Sequence, residues 1–403
     1  MSDGASAISD ALERSMCLAP AGEKVAALTL GDALSEHGGP IPNYREVSEI
    51  GHFSVKDDEY VDSAVHRRYL RKPFPQSCEW DLNKGYQSAL RRNFPSRSSH
   101  LLNWVRLHKD KVLSAPSPDE ERPSTALEDR SSRTVFLSSR FTLKTLMCTP
   151  FARKQAWLLG ACRYRDFIYI YNLTAELEGA DSPDDRHAKR RDRMSYWGAK
   201  FHRIMTSKEP GAAADDDQQL RETESYSVVL RSKLGSQSIV FSAEVKAVDA
   251  SVECDPRSTA GYVEFKLTRF QEDSMDAWSD TFKRHALPAW WAQCHLASVP
   301  RALCGFRNDR GKLVGIEDID VKSMPGMAGT MWSEGVCMRF CDRLLSFIKE
   351  HTEVDDGRTV YLFEYIPRSG EIVCKRLTDP DEAYRPREDL PRLFEGVGSV
   401  QNS

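Results

Sequence analysis

The sequence predicts a mixed α/β fold, and three observations carry that expectation. Short segments crowded with β-branched and aromatic residues alternate with longer amphipathic stretches of helical period. Several strand-like segments follow one another with only a turn between them, as at 226–231 and 238–245, which favours a mixed sheet over a parallel one. With 403 residues, the chain hides roughly three-quarters of its unfolded surface when folded, so a large core needs no staples.

The elements follow in order. Residues 1–37 mix Ser, Ala, Gly and Asp and read as a flexible N-terminal arm with a short helix over 21–34. One domain is expected from 38 to 385, opening on the apolar anchors Ile41, Tyr44, Ile50 and Phe53. Residues 101–112 (LLNWVRLHKDKV) have the spacing of an amphipathic helix, and 115–132, rich in Pro, Ser and Glu, read as an exposed loop. Residues 143–146, a turn at Thr149–Pro150, and 157–162 fit a helix pair or a helix with a following turn. Residues 167–173 (FIYIYNL) read as a strand. The charge run 181–193 reads as a solvated loop entering a helix, with a nuclear-import or RNA-contact patch as the other reading. A helix at 196–205 and a polar insert at 208–219 come next. Strands follow at 226–231, 238–245 and 261–267, then a helix around 278–297, strands at 302–307 and 313–320, a helix at 337–350 and a strand at 359–365. Residues 386–403 read as a polar, frayed tail.

Composition narrows the function classes. Lys and Arg total 56 against 60 Asp and Glu, for a formal charge of −4, which is far from a histone-like polycation but leaves room for a local basic channel. No run of 18 apolar residues exists to cross a membrane, and the polar, acidic residues 1–16 do not resemble a secretory signal. The expected location is nuclear, cytoplasmic or both. None of the ten cysteines forms a C-x-x-C pair, so zinc knuckles are not indicated and mostly buried free thiols are.

The usual catalytic signatures fail. There is no G-x-G-x-x-G, H-E-x-x-H or G-x-S-x-G, and residues 305–313 match a phosphate loop only superficially. What remains is charge at period two within apolar strands: Glu244 with Lys246, and Glu264 with Lys266. On a strand each pair shares a face, so the four charges are expected on one face of neighbouring strands, either exposed and trivial or forming a site. Gln293 lies close to Trp290 and Trp291, as core packing or as a wall for bases.

The order of these pieces resembles the DXO family of RNA decapping exoribonucleases. Matching blocks are Gly51-His-Phe-Ser, Arg140 ten residues before Pro150, Tyr196-Trp-Gly-Ala-Lys-Phe-His202 and Ser227-Val-Val-Leu-Arg-Ser-Lys-Leu-Gly235. Further blocks are Ala243-Glu-Val-Lys246, Tyr262-Val-Glu-Phe-Lys266, Trp290-Trp-Ala-Gln293, Gly305-Phe-Arg-Asn308 and Val336-Cys-Met-Arg-Phe-Cys341. The resemblance, over about 38–376, implies two sheets with flanking helices and a site in the cleft between them. It also implies removal of incomplete or non-standard caps and 5′→3′ degradation of RNA with two divalent metal ions.

Departures from the family pattern shape the expected function. Glu244, Glu264, Lys266, Gln293 and Arg140 stand at retained positions. His202 replaces a metal-binding Glu, and Lys246 replaces a metal-bridging Asp. Magnesium wants hard oxygen ligands, and a protonated ammonium offers no lone pair. Glu244 and Glu264 therefore remain as a metal remnant, and no cofactor is expected. Arg140, Lys266 and Gln293 are the expected substrate contacts, with Arg284 and His285 nearby. The chain is expected to recognise RNA 5′ ends weakly, without nuclease or decapping activity, and to bind neither DNA nor membrane. The alternatives are an active Mg2+- or Mn2+-dependent hydrolase of NAD-capped or incompletely capped RNA, and a scaffold for a protein partner with a vestigial cleft.

Overall fold

The computed structural model describes residues 22–35, 39–72, 80–91, 100–113, 134–174, 186–212, 218–270 and 278–394. The strands in chain order are β1 Glu23–Thr29, β2 Tyr44–Lys56, β3 Glu59–Val61, β4 Tyr69–Leu70, β5 Val135–Ser139, β6 Trp157–Tyr164, β7 Phe167–Asn172 and β8 Thr206–Ser207. They continue as β9 Glu224–Leu234, β10 Gln237–Glu244, β11 Ala247–Val248, β12 Tyr262–Arg269, β13 Arg301–Arg307, β14 Leu313–Asp320, β15 Val360–Ile366 and β16 Glu371–Leu377. A ten-stranded sheet runs β1-β16-β15-β6-β7-β5-β10-β9-β2-β3, and a six-stranded sheet runs β14-β13-β12-β11-β4-β8. Both are mixed, as the sequence predicts. β5 is parallel to β7 and β10, and β12 to β13, while β9–β10, β13–β14 and β15–β16 are antiparallel. The β9–β10 hairpin turns in two residues, and Gly235 there takes φ 57°, a left-handed conformation that costs glycine little.

Helices cover both faces of the larger sheet. In β5 and β10 successive residues alternate sides: Phe136, Ile239 and Phe241 join one core, Leu137 and Val240 the other. The first core is built with the helices Arg140–Cys148, Leu287–Leu296 and Glu334–His351, the last presenting Cys337, Phe340, Cys341, Leu344 and Ile348 at helical spacing. Leu101, Trp104 and Val105 of the His100–Leu107 helix fill the second. A third core packs Tyr196, Trp197, Phe201 and Ile204 of the Arg186–Met205 helix against Phe265 and Leu303 of the smaller sheet. The eight cysteines among the described residues are free, and all but Cys254 are buried.

Five expectations need correction. Residues 23–29 are not a loose arm or a helix: β1 pairs antiparallel with β16, and only the following Leu30–Ser35 segment is helical. Six of its seven residues are not fully buried, so an edge strand of this kind shows little alternation. Residues 157–162 form β6 rather than a helix or turn, and every one of them is buried. A strand covered on both faces loses the alternation that would identify it. The tail is not wholly frayed: Leu390, Leu393 and Phe394 are buried, and the Phe394 ring stacks on Phe167 at 4.7 Å. Three apolar residues inside a polar stretch are enough to dock it. Finally, the 101–112 helix is interrupted at His108, and the 278–297 helix divides at Ala286, with Pro288 in the first turn of its second half. The 115–132 loop, residues 181–185 of the charge run and 213–217 of the polar insert lie outside the described residues.

Candidate functional site

The site is assembled where the chain passes from one sheet to the other. β10 ends at Glu244 in the larger sheet, and from Ala247 the chain pairs with Val263 in the smaller one. Lys246 therefore sits on the crossover rather than beside Glu244 on a strand. Glu264 and Lys266 lie on β12 of the smaller sheet. The four charges converge as expected, but from two sheets rather than from one face of a single sheet.

Arg140 arrives from β5. Ser139 ends that strand and caps the Arg140–Cys148 helix by accepting from the Thr142 backbone N–H at 3.2 Å. Ser139 is in register with Ser242 of β10, so Arg140 and Glu244 leave adjacent strand ends together. Arg140 Nη2 donates to the Glu244 carbonyl at 2.7 Å, Nη1 to the Gln293 carbonyl at 3.4 Å, and Nη1 lies 3.2 Å from Glu264 Oε2. Lys266 Nζ donates to Gln293 Oε1 at 2.6 Å and lies 3.8 Å from Glu264 Oε1. The Gln293 amide donates to Glu264 Oε2 at 3.5 Å. Lys246 Nζ donates to Glu244 Oε1 at 2.5 Å.

Burial separates the group into two tiers. Side-chain exposure is 3% for Glu264, 7% for Arg140 and 9% for Lys266, against 38% for Glu244 and 21% for Lys246. Burial alone would protonate Glu264, but Lys266, Arg140 and Lys246 outweigh it and hold its carboxyl below the usual range, ionised at neutral pH. His202, on the Arg186–Met205 helix with its ring 5.4 Å from Phe265, is pushed down to about 3 by burial and by Lys246. It is neutral at pH 7.

This donor set does not fit a pair of divalent cations. Two carboxylates face the three cations Arg140, Lys246 and Lys266, and one oxygen of the more exposed carboxylate, Glu244, is engaged by an ammonium. Among the described residues, no three His, Cys, Asp or Glu side chains converge on one point. Asp249 is bound to Lys72 at 2.8 Å and Arg301 at 3.2 Å and supplies no substitute.

In front of the exposed tier lies a cavity of about 670 Å³, lined by Glu244, Lys246, His202, the 65–68 segment, Tyr226, and Gly198 and Arg203 of the long helix among others. Arg140, Lys266 and Gln293 are not among its lining residues. Arg284 and His285 are exposed on the Asp280–His285 helix and do not line it either. Trp291 is core, against His295 and Trp332, and Trp290 packs on Phe282. The sequence reading missed the 65–68 segment, for which the one available signal is the basic and aromatic run His66-Arg-Arg-Tyr69.

Two sheets meet at a charged cleft, and comparison with known proteins places this arrangement in a nuclease family. The family described as RAI1 like PD-(D/E)XK nuclease matches residues 45–389. The Bos taurus decapping and exoribonuclease protein is 30% identical over 374 residues, covering 88% of this chain and 89% of that protein. The chain belongs to the RAI1-like family, to which the decapping and exoribonuclease proteins are its relatives. Its fold matches Scheffersomyces stipitis Rai1, solved with (3′-NADP)+ and calcium ion, at TM-score 0.69 and 17% identity, covering 94% of this chain and 96% of that one. Candida albicans Rai1, solved in complex with pU5-Mn2+, matches at TM-score 0.68 and 15% identity over 92% and 96%.

Proposed function

We propose that this chain binds RNA 5′ ends in the cleft and does not cut them. One observation carries the proposal: Lys246 Nζ sits 2.5 Å from Glu244 Oε1, placing an ammonium where the family resemblance puts a metal-bridging carboxylate. Two-metal hydrolysis needs shared carboxylates between ions a few ångströms apart, and a fixed cation there repels both. Neutral His202 adds no negative charge, and Glu264 is consumed by Arg140 and Lys266. Binding needs none of this. The cavity carries Lys246 on its wall, and a solved relative, Candida albicans Rai1, is in complex with pU5-Mn2+. Without metal ions, attraction comes from side-chain cations alone, so affinity is weak and falls with salt. It carries little base preference, since phosphate contacts position a strand without reading it.

The test is incubation of the full chain with 5′-phosphorylated and capped RNA in Mg2+ or Mn2+, alongside filter binding. Binding without degradation is expected. Degradation abolished by EDTA overturns the proposal in favour of a metal-dependent decapping hydrolase, and absence of binding at low salt favours a scaffold.

A further inference from the structure

The expected phosphate contacts, Arg140 and Lys266, are engaged with Glu264 and do not line the cavity. Its wall carries other cations. Arg68 donates to Thr206 Oγ1 at 2.7 Å and its carbonyl at 3.2 Å, Arg221 lies 4.0 Å from Glu224, and Lys246 donates to Glu244; His66, its imidazole held below the usual value by burial, is no cation at pH 7. Arg67 differs. Its Nε is buried with no hydrogen-bond partner, and its guanidinium forms no ion pair among the described residues. It packs instead on two rings, 5.8 Å from the Tyr226 centroid and 5.7 Å from that of Tyr69.

Backbone pairing fixes where this guanidinium lies. The Val245 N–H donates to the Tyr226 carbonyl at 2.9 Å, and the Val248 N–H to the Arg68 carbonyl at 2.9 Å. The crossover carrying Lys246 is thus stitched on one side to Tyr226 and on the other to the 67–69 segment. Arg67 and Lys246 line the same cavity from neighbouring strands of backbone. Cation–π contact with two tyrosine rings favours one position for the guanidinium, and its fork matches two phosphate oxygens. An ammonium has three protons, so Lys246 keeps donors beyond the one given to Glu244.

We propose that Arg67 is the phosphate-positioning residue of the cleft, gripping a phosphate of the bound RNA with Lys246 as the second cation. This rests on the RNA-binding function proposed above. The buried tier of Arg140, Glu264, Lys266 and Gln293 then holds the cleft's shape rather than the strand.

The experiment is fluorescence anisotropy with a short 5′-phosphorylated oligoribonucleotide at low and moderate salt, on the full chain and on Arg67→Ala, Arg67→Gln and Arg284→Ala. Arg67→Ala and Arg67→Gln are expected to weaken binding roughly tenfold or more, and to lower the slope of log affinity against log salt by about 0.7 to 1. Arg284→Ala, an exposed charge outside the cavity, stays within about twofold. Thermal melts check that each variant folds; Arg67→Gln keeps most of the stem on the rings and carries the comparison if Arg67→Ala is unstable. Wild-type binding that both Arg67 variants retain overturns this assignment while the RNA-binding function stands. Equal losses in Arg67→Ala and Arg284→Ala also overturn it, because the attraction is then diffuse. No wild-type binding at low salt overturns both.

Discussion

Replacing Arg140 with alanine separates a structural role from a ligand-binding one. The guanidinium reaches Glu264 at 3.2 Å, the Glu244 carbonyl at 2.7 Å and the Gln293 carbonyl at 3.4 Å from a side chain only 7% exposed. Its loss leaves Glu264 buried with Lys266 at 3.8 Å as its nearest remaining cation. Breaking one side of a buried ion pair costs about 3–5 kcal/mol. Against a typical stability of about 5–15 kcal/mol, that is a large fraction. Urea unfolding of the wild type and Arg140→Ala should show a loss of that size, with the triple variant Arg140→Met, Glu264→Gln, Lys266→Met recovering about half because no charge of the buried group is then stranded. A stability change below about 1 kcal/mol combined with lost RNA binding would refute the reasoning and make Arg140 a ligand contact.

Three further outcomes are expected. His295, stacked on Trp291 with its Nε2 buried and unpartnered, is pushed down to about 4 by burial. Its folded value lies below the unfolded value of about 6.5, so the unfolded chain binds the extra proton and stability falls as pH drops from about 6.5 to 4, by roughly 3 kcal/mol at most. His295→Phe should flatten that part of the stability profile, and an unchanged slope counts against burial as its cause. Gly51→Ala places a Cβ into the Trp104 indole, so it should destabilise the chain by about 1–3 kcal/mol or more; a neutral effect in the same unfolding assay means the helix shifts away freely. His202→Glu with Lys246→Asp removes the ammonium and adds two carboxylates to the cleft, and should gain Mn2+ binding measurable by calorimetry. Equal Mn2+ binding by the wild type would show that Lys246 does not block the ions.

Much of the fold was legible because local chemistry was one-sided. Phe167–Asn172 is dense in aromatic and β-branched residues, and Glu334–His351 carries an apolar stripe at helical spacing. Trp157–Tyr164 was illegible for the opposite reason. Both of its faces are covered, and a continuous apolar run has no period to read. Glu23–Thr29 failed because an edge strand is specified by its partner β16 rather than by its own pattern.

The sequence by itself determined the residue types at the site: charge at period two marked Glu244 with Lys246 and Glu264 with Lys266, and the family resemblance marks His202 and Lys246 as departures from its pattern. Tertiary structure decided which of these charges meet and which face solvent. The β10–β11 crossover puts Glu244 and Lys246 on the cavity wall, and the helix starting at Arg140 closes over Glu264. No spacing rule reaches from Arg67 to Tyr226 or Lys246, because that neighbourhood is made by backbone hydrogen bonds between segments far apart in the chain. Contact order of that kind is settled only when the two sheets close on each other.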